Sequence, residues 1–184
     1  MPAGAIRKYP KRPKEFLASA HLGFLRILLL GLAACGRPEP TWFSENREIG
    51  VMRVIAPAPI NVGKAEDATM AVYAVYINRG ATADTLIGAA SPIARKAGVH
   101  VTVQREGMVT MRPAADYPVP PGMLESMSPG ATHVMLEGLT RLPLPGDSVP
   151  VTLVFKRSGK VAMNARVVGY EELERFFGKA KSRP

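Results

Sequence analysis

The chain has 184 residues, enough for one domain with appendages, and 47% of them are apolar. A formal charge of +9 would suit a nucleic-acid or anionic-membrane partner, but six Lys/Arg against the single acid Glu15 fall within residues 1–34. The other 150 residues carry 18 basic and 14 acidic side chains, which argues against a nucleic-acid partner.

Residues 1–34 have the order of an export signal. A basic segment (Arg7, Lys8, Lys11, Arg12, Lys14) precedes an apolar run from Leu22 to Ala34, interrupted by Arg26. That run is too short to span a bilayer, which takes about 20 residues. It ends in Leu32-Ala33-Ala34-Cys35, which resembles the box of a bacterial lipoprotein signal. This resemblance implies cleavage before Cys35 and lipidation of its sulfur. Cys35 is the only cysteine, so no disulfide within the chain is possible. The expected organisation is a lipoprotein-type signal over 1–34, a lipidated Cys35 and polar tether over 35–49, a domain over 50–168 and a tail over 169–184. The protein would then be extracytoplasmic, in the periplasm or at the cell surface, and anchored to a membrane.

From Gly50 onward the pattern is one of short strands between Gly/Pro turns. Val51–Ala56 is the first expected strand. Met70–Ile77 is apolar on both faces, as in a central strand. Asp84–Ala90 follows, and residues 93–98 suggest at most one helical turn. Val99–Arg105 alternates Val99, Val101 and Val103 against His100, Thr102 and Gln104, and Met108–Arg112 returns after a turn at Glu106-Gly107. Four prolines exclude 113–122 from a central strand or a helix. Leu124–Ser128 is short. Thr132–Leu139 puts His133 and Met135 on one face and Val134 and Leu136 on the other. Val151–Phe155 and Val161–Val168 form a last hairpin around Ser158-Gly159, and the tail suggests a short helix with Leu173, Phe176 and Phe177 inward. Together these elements predict an all-β Greek-key sandwich or barrel.

The stretch from His100 to Met135 holds two of the three histidines and five of the nine methionines. Thioethers select soft ions, above all Cu(I), and imidazole also suits copper. His100, Met111, His133 and Met135 are therefore a candidate copper site, all neutral and matched to a monovalent ion. Against this stands methionine's ordinary use as core filler and the frequency of satisfied, structural histidines. Met108, Met123 and Met127 are candidates for the rim of such a site, weighed against the same packing role. Zinc spacings are absent. A blue-copper electron carrier needs a Cys thiolate, and Cys35 lies far from the stretch. No acid–base pair or nucleophile stands beside the four residues, so an enzyme is not expected.

Residues from about 56 to 168 resemble the PCu(A)C family of periplasmic copper chaperones. That family's signature is His, ten residues, Met, twenty-one residues, His, one residue, Met, and His100, Met111, His133 and Met135 match it without a gap. The flanks are similar too, in Tyr73 to Asn78, Leu86 to Pro92, Glu106-Gly107-Met108, Met111-Arg112-Pro113 and Pro129-Gly130. Two departures are Val101 where some members have Met, and Ala131-Thr132 where Gly-Tyr is common. The resemblance implies a cupredoxin-like sandwich that binds Cu(I) through these four side chains. It further implies a monomeric metallochaperone that delivers copper toward the dinuclear copper centre of a cytochrome c oxidase subunit or to another periplasmic copper protein. General copper storage and a metal-free surface interaction module are the alternatives.

Overall fold

The computed structural model describes residues 39–59, 63–105 and 107–178. The expected export signal over 1–34 and Cys35 lie outside the described residues. In chain order the elements begin with β1 (Trp42–Phe43), β2 (Ile49–Pro57), β3 (Thr69–Asn78) and β4 (Asp84–Ala90). Then come β5 (Ala94–Arg105), β6 (Met108–Pro113), β7 (Tyr117–Val119) and β8 (Leu124–Ser126). The chain closes with β9 (Thr132–Leu139), β10 (Ser148–Phe155), β11 (Gly159–Val168) and helix α1 (Tyr170–Phe177).

The strands follow one hydrogen-bonded path, β6-β5-β9-β3-β2-β11-β10-β4-β7, with β1 added to β2 and β8 added to β3. The expected all-β, cupredoxin-like sandwich is the observed architecture. β2 and β11 pair in parallel, and the other pairings are antiparallel. β3 is central, as its two apolar faces predict. It pairs along one edge with β2, and along the other with β9 at Thr69–Val72 and with β8 at Val75–Ile77. Its Met70, Val72 and Tyr76 are buried in a single core with Leu86, Val134, Leu136, Leu153 and Phe155. A side chain of this size contributes about 1.5–3 kcal/mol when fully buried, so these strands hold the sandwich together.

Three expectations need correction. Residues 93–98 are not a helical turn. They open β5, with Ala94 opposite Leu139 and Lys96 opposite Glu137. Arg95, Lys96, Ala97 and Gly98 have little intrinsic strand preference, and the ladder to β9 imposes the conformation. The polar stretch read as a tether contains β1, where Trp42 pairs with Val51 and packs on the core. The last hairpin is longer than expected because β10 starts at Ser148 rather than at Val151. Elsewhere β9 matches the expected strand end to end, and Leu173 of α1 is buried with Phe176 and Phe177 against the core, as predicted.

Candidate metal centre

The site is built on the three-stranded edge β6-β5-β9. Antiparallel partners share a face, and so do residues two apart on one strand. His100 of β5 lies directly opposite His133 of β9, and Gly98 lies opposite Met135. On its other side His100 faces Pro113 of β6, while Met111 faces Thr102. His100, Met111, His133 and Met135 therefore all project from one face. Val99, Val134 and Leu136 project from the other and are buried in the core.

The hairpin sets Met111 across from Thr102 rather than from His100. Met111 sits one rung further along β5 than His100, and Met135 one rung back. The two methionines are thus offset by the four residues from Gly98 to Thr102 and by two strand spacings. Four residues of strand advance about 13 Å. Gathering all four side chains around one ion requires the edge strand β6 to curl over β5. Met111 is in the position to make that movement: every residue of β6 is exposed, and Met111 is 57% exposed.

His100 and His133 form the fixed half of the site. Their rings meet edge to face with centroids 5.9 Å apart, and Tyr73 packs its edge against His133 at 6.3 Å. The His100 side chain is 12% exposed, and His133 as a residue is only 2% exposed. A turn sets the orientation of His133. Ala131 N–H donates to the Ser128 carbonyl at 3.0 Å, and Ser128 N–H donates to the Thr132 carbonyl at 3.1 Å. Between them stand Pro129, whose ring fixes the first central position, and Gly130 at φ +77°. This turn presents the Ala131 carbonyl, which accepts from Thr102 N–H at 3.2 Å and lies 3.2 Å from His133 Nδ1. A carbonyl only accepts, so Nδ1 carries the proton and Nε2 of the neutral ring keeps its lone pair. Nε2 is buried with no hydrogen-bond partner among the described residues. Burial lowers the His133 pKa, the Ala131 carbonyl opposes this, and the neighbouring His100 lowers it further. The ring is thereby kept neutral, the form that binds metals.

Among the described residues no three His, Cys, Asp or Glu side chains come together as a ready cage for a metal ion. A four-donor set made of His100, His133 and their neighbours in the motif would therefore draw on the thioethers of Met111 and Met135. Met127 is buried in the core, so it is packing rather than rim. Met108 is exposed and lies opposite Arg105, which puts it on the face of the sheet away from Met111. Met123 is exposed at the start of the segment that pairs with β3. Sequence reasoning missed Gly98 and Glu137 beside the histidines. A Cβ on Gly98 would stand 3.8 Å from His100 Nε2, an ordinary van der Waals contact, so the ring lies directly beside that position.

The fold is similar to that of solved PCuAC domains. Its solved relatives include the copper-bound PCuAC domain from PmoF2, which is 24% identical, with 66% of this chain and 93% of that domain aligned at a TM-score of 0.55. The apo PCuAC domain from PmoF1 is 22% identical over 66% of this chain and 94% of that domain, at a TM-score of 0.54. At such identities the likeness is one of fold. The protein described as "Putative lipoprotein Lxx21020" of Leifsonia xyli subsp. xyli (strain CTCB07) is 34% identical over 79 residues, 42% of this chain. The match spans 48% of that relative, about half its length. Residues 49–167 match the family described as "Putative lipoprotein LpqE-like", and the chain belongs to this LpqE-like family.

Proposed function

We propose that the chain is an extracytoplasmic copper metallochaperone that binds one Cu(I) through His100, Met111, His133 and Met135. The observation that carries this reading is His133 Nε2, buried and without a hydrogen-bond partner among the described residues, beside His100 on the face that bears Met135. An orphaned buried polar atom costs about 1–3 kcal/mol, and a soft ion is the partner that two imidazoles and two thioethers would satisfy. The copper-bound PmoF2 domain of the same fold supports the choice of ion.

The proposed role is carriage rather than catalysis. Two histidines and Met135 stand on paired inner strands, while Met111 rides an exposed edge strand. Met111 is then the ligand that closes over incoming copper and the first to yield to an acceptor's donor. Delivery toward the dinuclear copper centre of a cytochrome c oxidase subunit fits neutral ligands of this kind, because no anionic cage has to be broken. Lipidation at Cys35 would hold the domain at the membrane surface near such an acceptor, an anchor that the putative lipoprotein relative also suggests.

The test is Cu(I) stoichiometry and affinity of the chain, measured by competition with a Cu(I)-specific chelator in a Cys35→Ser background that removes the thiol. One Cu(I) per chain is expected, with binding weakened in Met111→Ala and Met135→Ala. Absence of binding in the parent, or unchanged binding in both variants, sinks the proposal. Transfer to an isolated oxidase copper domain, followed by the appearance of its visible spectrum, tests the acceptor.

A further inference from the structure

The face that holds His133 and Met135 continues along β9 to Glu137, two residues on. Glu137 lies opposite Lys96, and its two oxygens are divided. Oε2 is 3.5 Å from Lys96 Nζ, and Oε1 is 4.0 Å from His100 Nε2. The second distance is too long for a hydrogen bond, so Oε1 does not take a proton from His100. It is a distance that two donors to one ion can have, since atoms each about 2 Å from a metal stand up to about 4 Å apart. The His100 ring lies beside Gly98, and Gly98 faces Met135. An imidazole nitrogen, a thioether strand position and a carboxylate oxygen thus stand on one face of β5 and β9.

We infer that Glu137 is a further copper ligand, an oxygen donor that joins His100 when the ion is Cu(II). This rests on the copper reading above and extends it to the oxidised ion. Four neutral donors suit Cu(I) but leave a divalent ion uncompensated in a partly dry site. Cu(II) takes nitrogen and oxygen donors, and a carboxylate removes one unit of charge from the complex. The Lys96 contact holds Oε2 and leaves Oε1 toward the site. No electron transfer is involved: the ion arrives in either state, and the donor set changes with it.

The experiment uses the full chain in the Cys35→Ser background, loaded with Cu(II) or Cu(I) alone. In Glu137→Gln, which keeps size and removes charge, Cu(II) affinity by chelator competition should fall about tenfold or more. The electron paramagnetic resonance spectrum of Cu(II) should shift, while Cu(I) affinity stays unchanged. A Cu(II) affinity and spectrum identical to the parent's would overturn the assignment. So would a parallel loss of Cu(I), which marks a structural role. A second measurement needs no variant: with carboxylate-¹³C glutamate in the parent chain, pulsed resonance should detect coupling of Cu(II) to a carboxylate carbon, and its absence counts against Glu137. A parent that holds Cu(I) but not Cu(II) sinks this inference alone, whereas a parent without Cu(I) sinks the metallochaperone reading itself.

Discussion

At the residue scale, two buried polar side chains have opposite fates. His133 is left one partner short among the described residues, and Asp84 is fully engaged. Asp84 Oδ1 accepts from Thr85 N–H at 2.7 Å and Arg157 N–H at 2.9 Å, and Oδ2 accepts from Ser158 N–H at 2.9 Å. The carboxylate thereby clips the β10–β11 turn to the start of β4. Burial pushes its pKa up, but the Ser158 side chain and the three backbone donors hold it below the usual carboxylate value. The folded pKa is thus depressed below the unfolded value of about 3.9. Asp84 contributes its stability in full above that pH, and the contribution is lost as pH falls through the folded value. Asp84→Asn should cost about 1–3 kcal/mol at neutral pH and flatten the acid limb of the stability profile. Denaturant melts of both forms between pH 7 and 2 check this. An unchanged acid limb would refute the assignment.

At the element scale, the turn before β9 and the edge strand β6 do different work. The Pro129-Gly130 turn is rigid, and its Gly130 at φ +77° is the reason the Ala131 carbonyl points at His133. A Cβ in that backbone region costs about 1–2 kcal/mol. No atom crowds the position, so Gly130→Ala should fold with a modest loss of stability. Its effect should appear at the imidazole. Nitrogen-15 resonances of His133 would report a mixture of tautomers in place of one, and Cu(I) affinity would fall. Unaltered resonances would mean that the turn does not set the ring. β9 was legible before any fold was known, because Val134 and Leu136 alternate cleanly with His133 and Met135. The first half of β5 was not, since Arg95 to Gly98 carry no periodic apolar signal and extend only because β9 lies alongside.

At the scale of the whole molecule, α1 packs beside the candidate site: Tyr73 meets Phe177 of α1 edge to face at 5.3 Å and His133 at 6.3 Å. No helix of the described residues is long and apolar enough to cross a membrane. Attachment through Cys35 therefore predicts a protein that partitions with membranes by its acyl chains. Cys35→Ser should move it from the membrane fraction to the aqueous phase on detergent phase separation, with Cu(I) binding retained. A variant that stays with the membrane would remove the lipid anchor from the account. Two or more acyl chains are needed for stable attachment, so one-chain modification would show as slow release.

The order of residues by itself determined the donor types, the alternation that puts His133 and Met135 on one face, and the turns that break the chain into strands. These are local properties, written in periods of two and in Gly/Pro positions. Only the tertiary structure decided which residues stand across from one another. It set Met111 one rung away from His100, placed Gly98 beside that ring, and brought Glu137 to 4.0 Å from it. The reason is register. It is fixed by burying Val99, Val134 and Leu136 together and by the turns that join the strands, and spacing along the chain carries no record of it. The four residues from His100 to Met135 were visible in sequence as a set; the structure divides them into two paired histidines, a flanking methionine, and Met111 one rung away on the exposed edge strand.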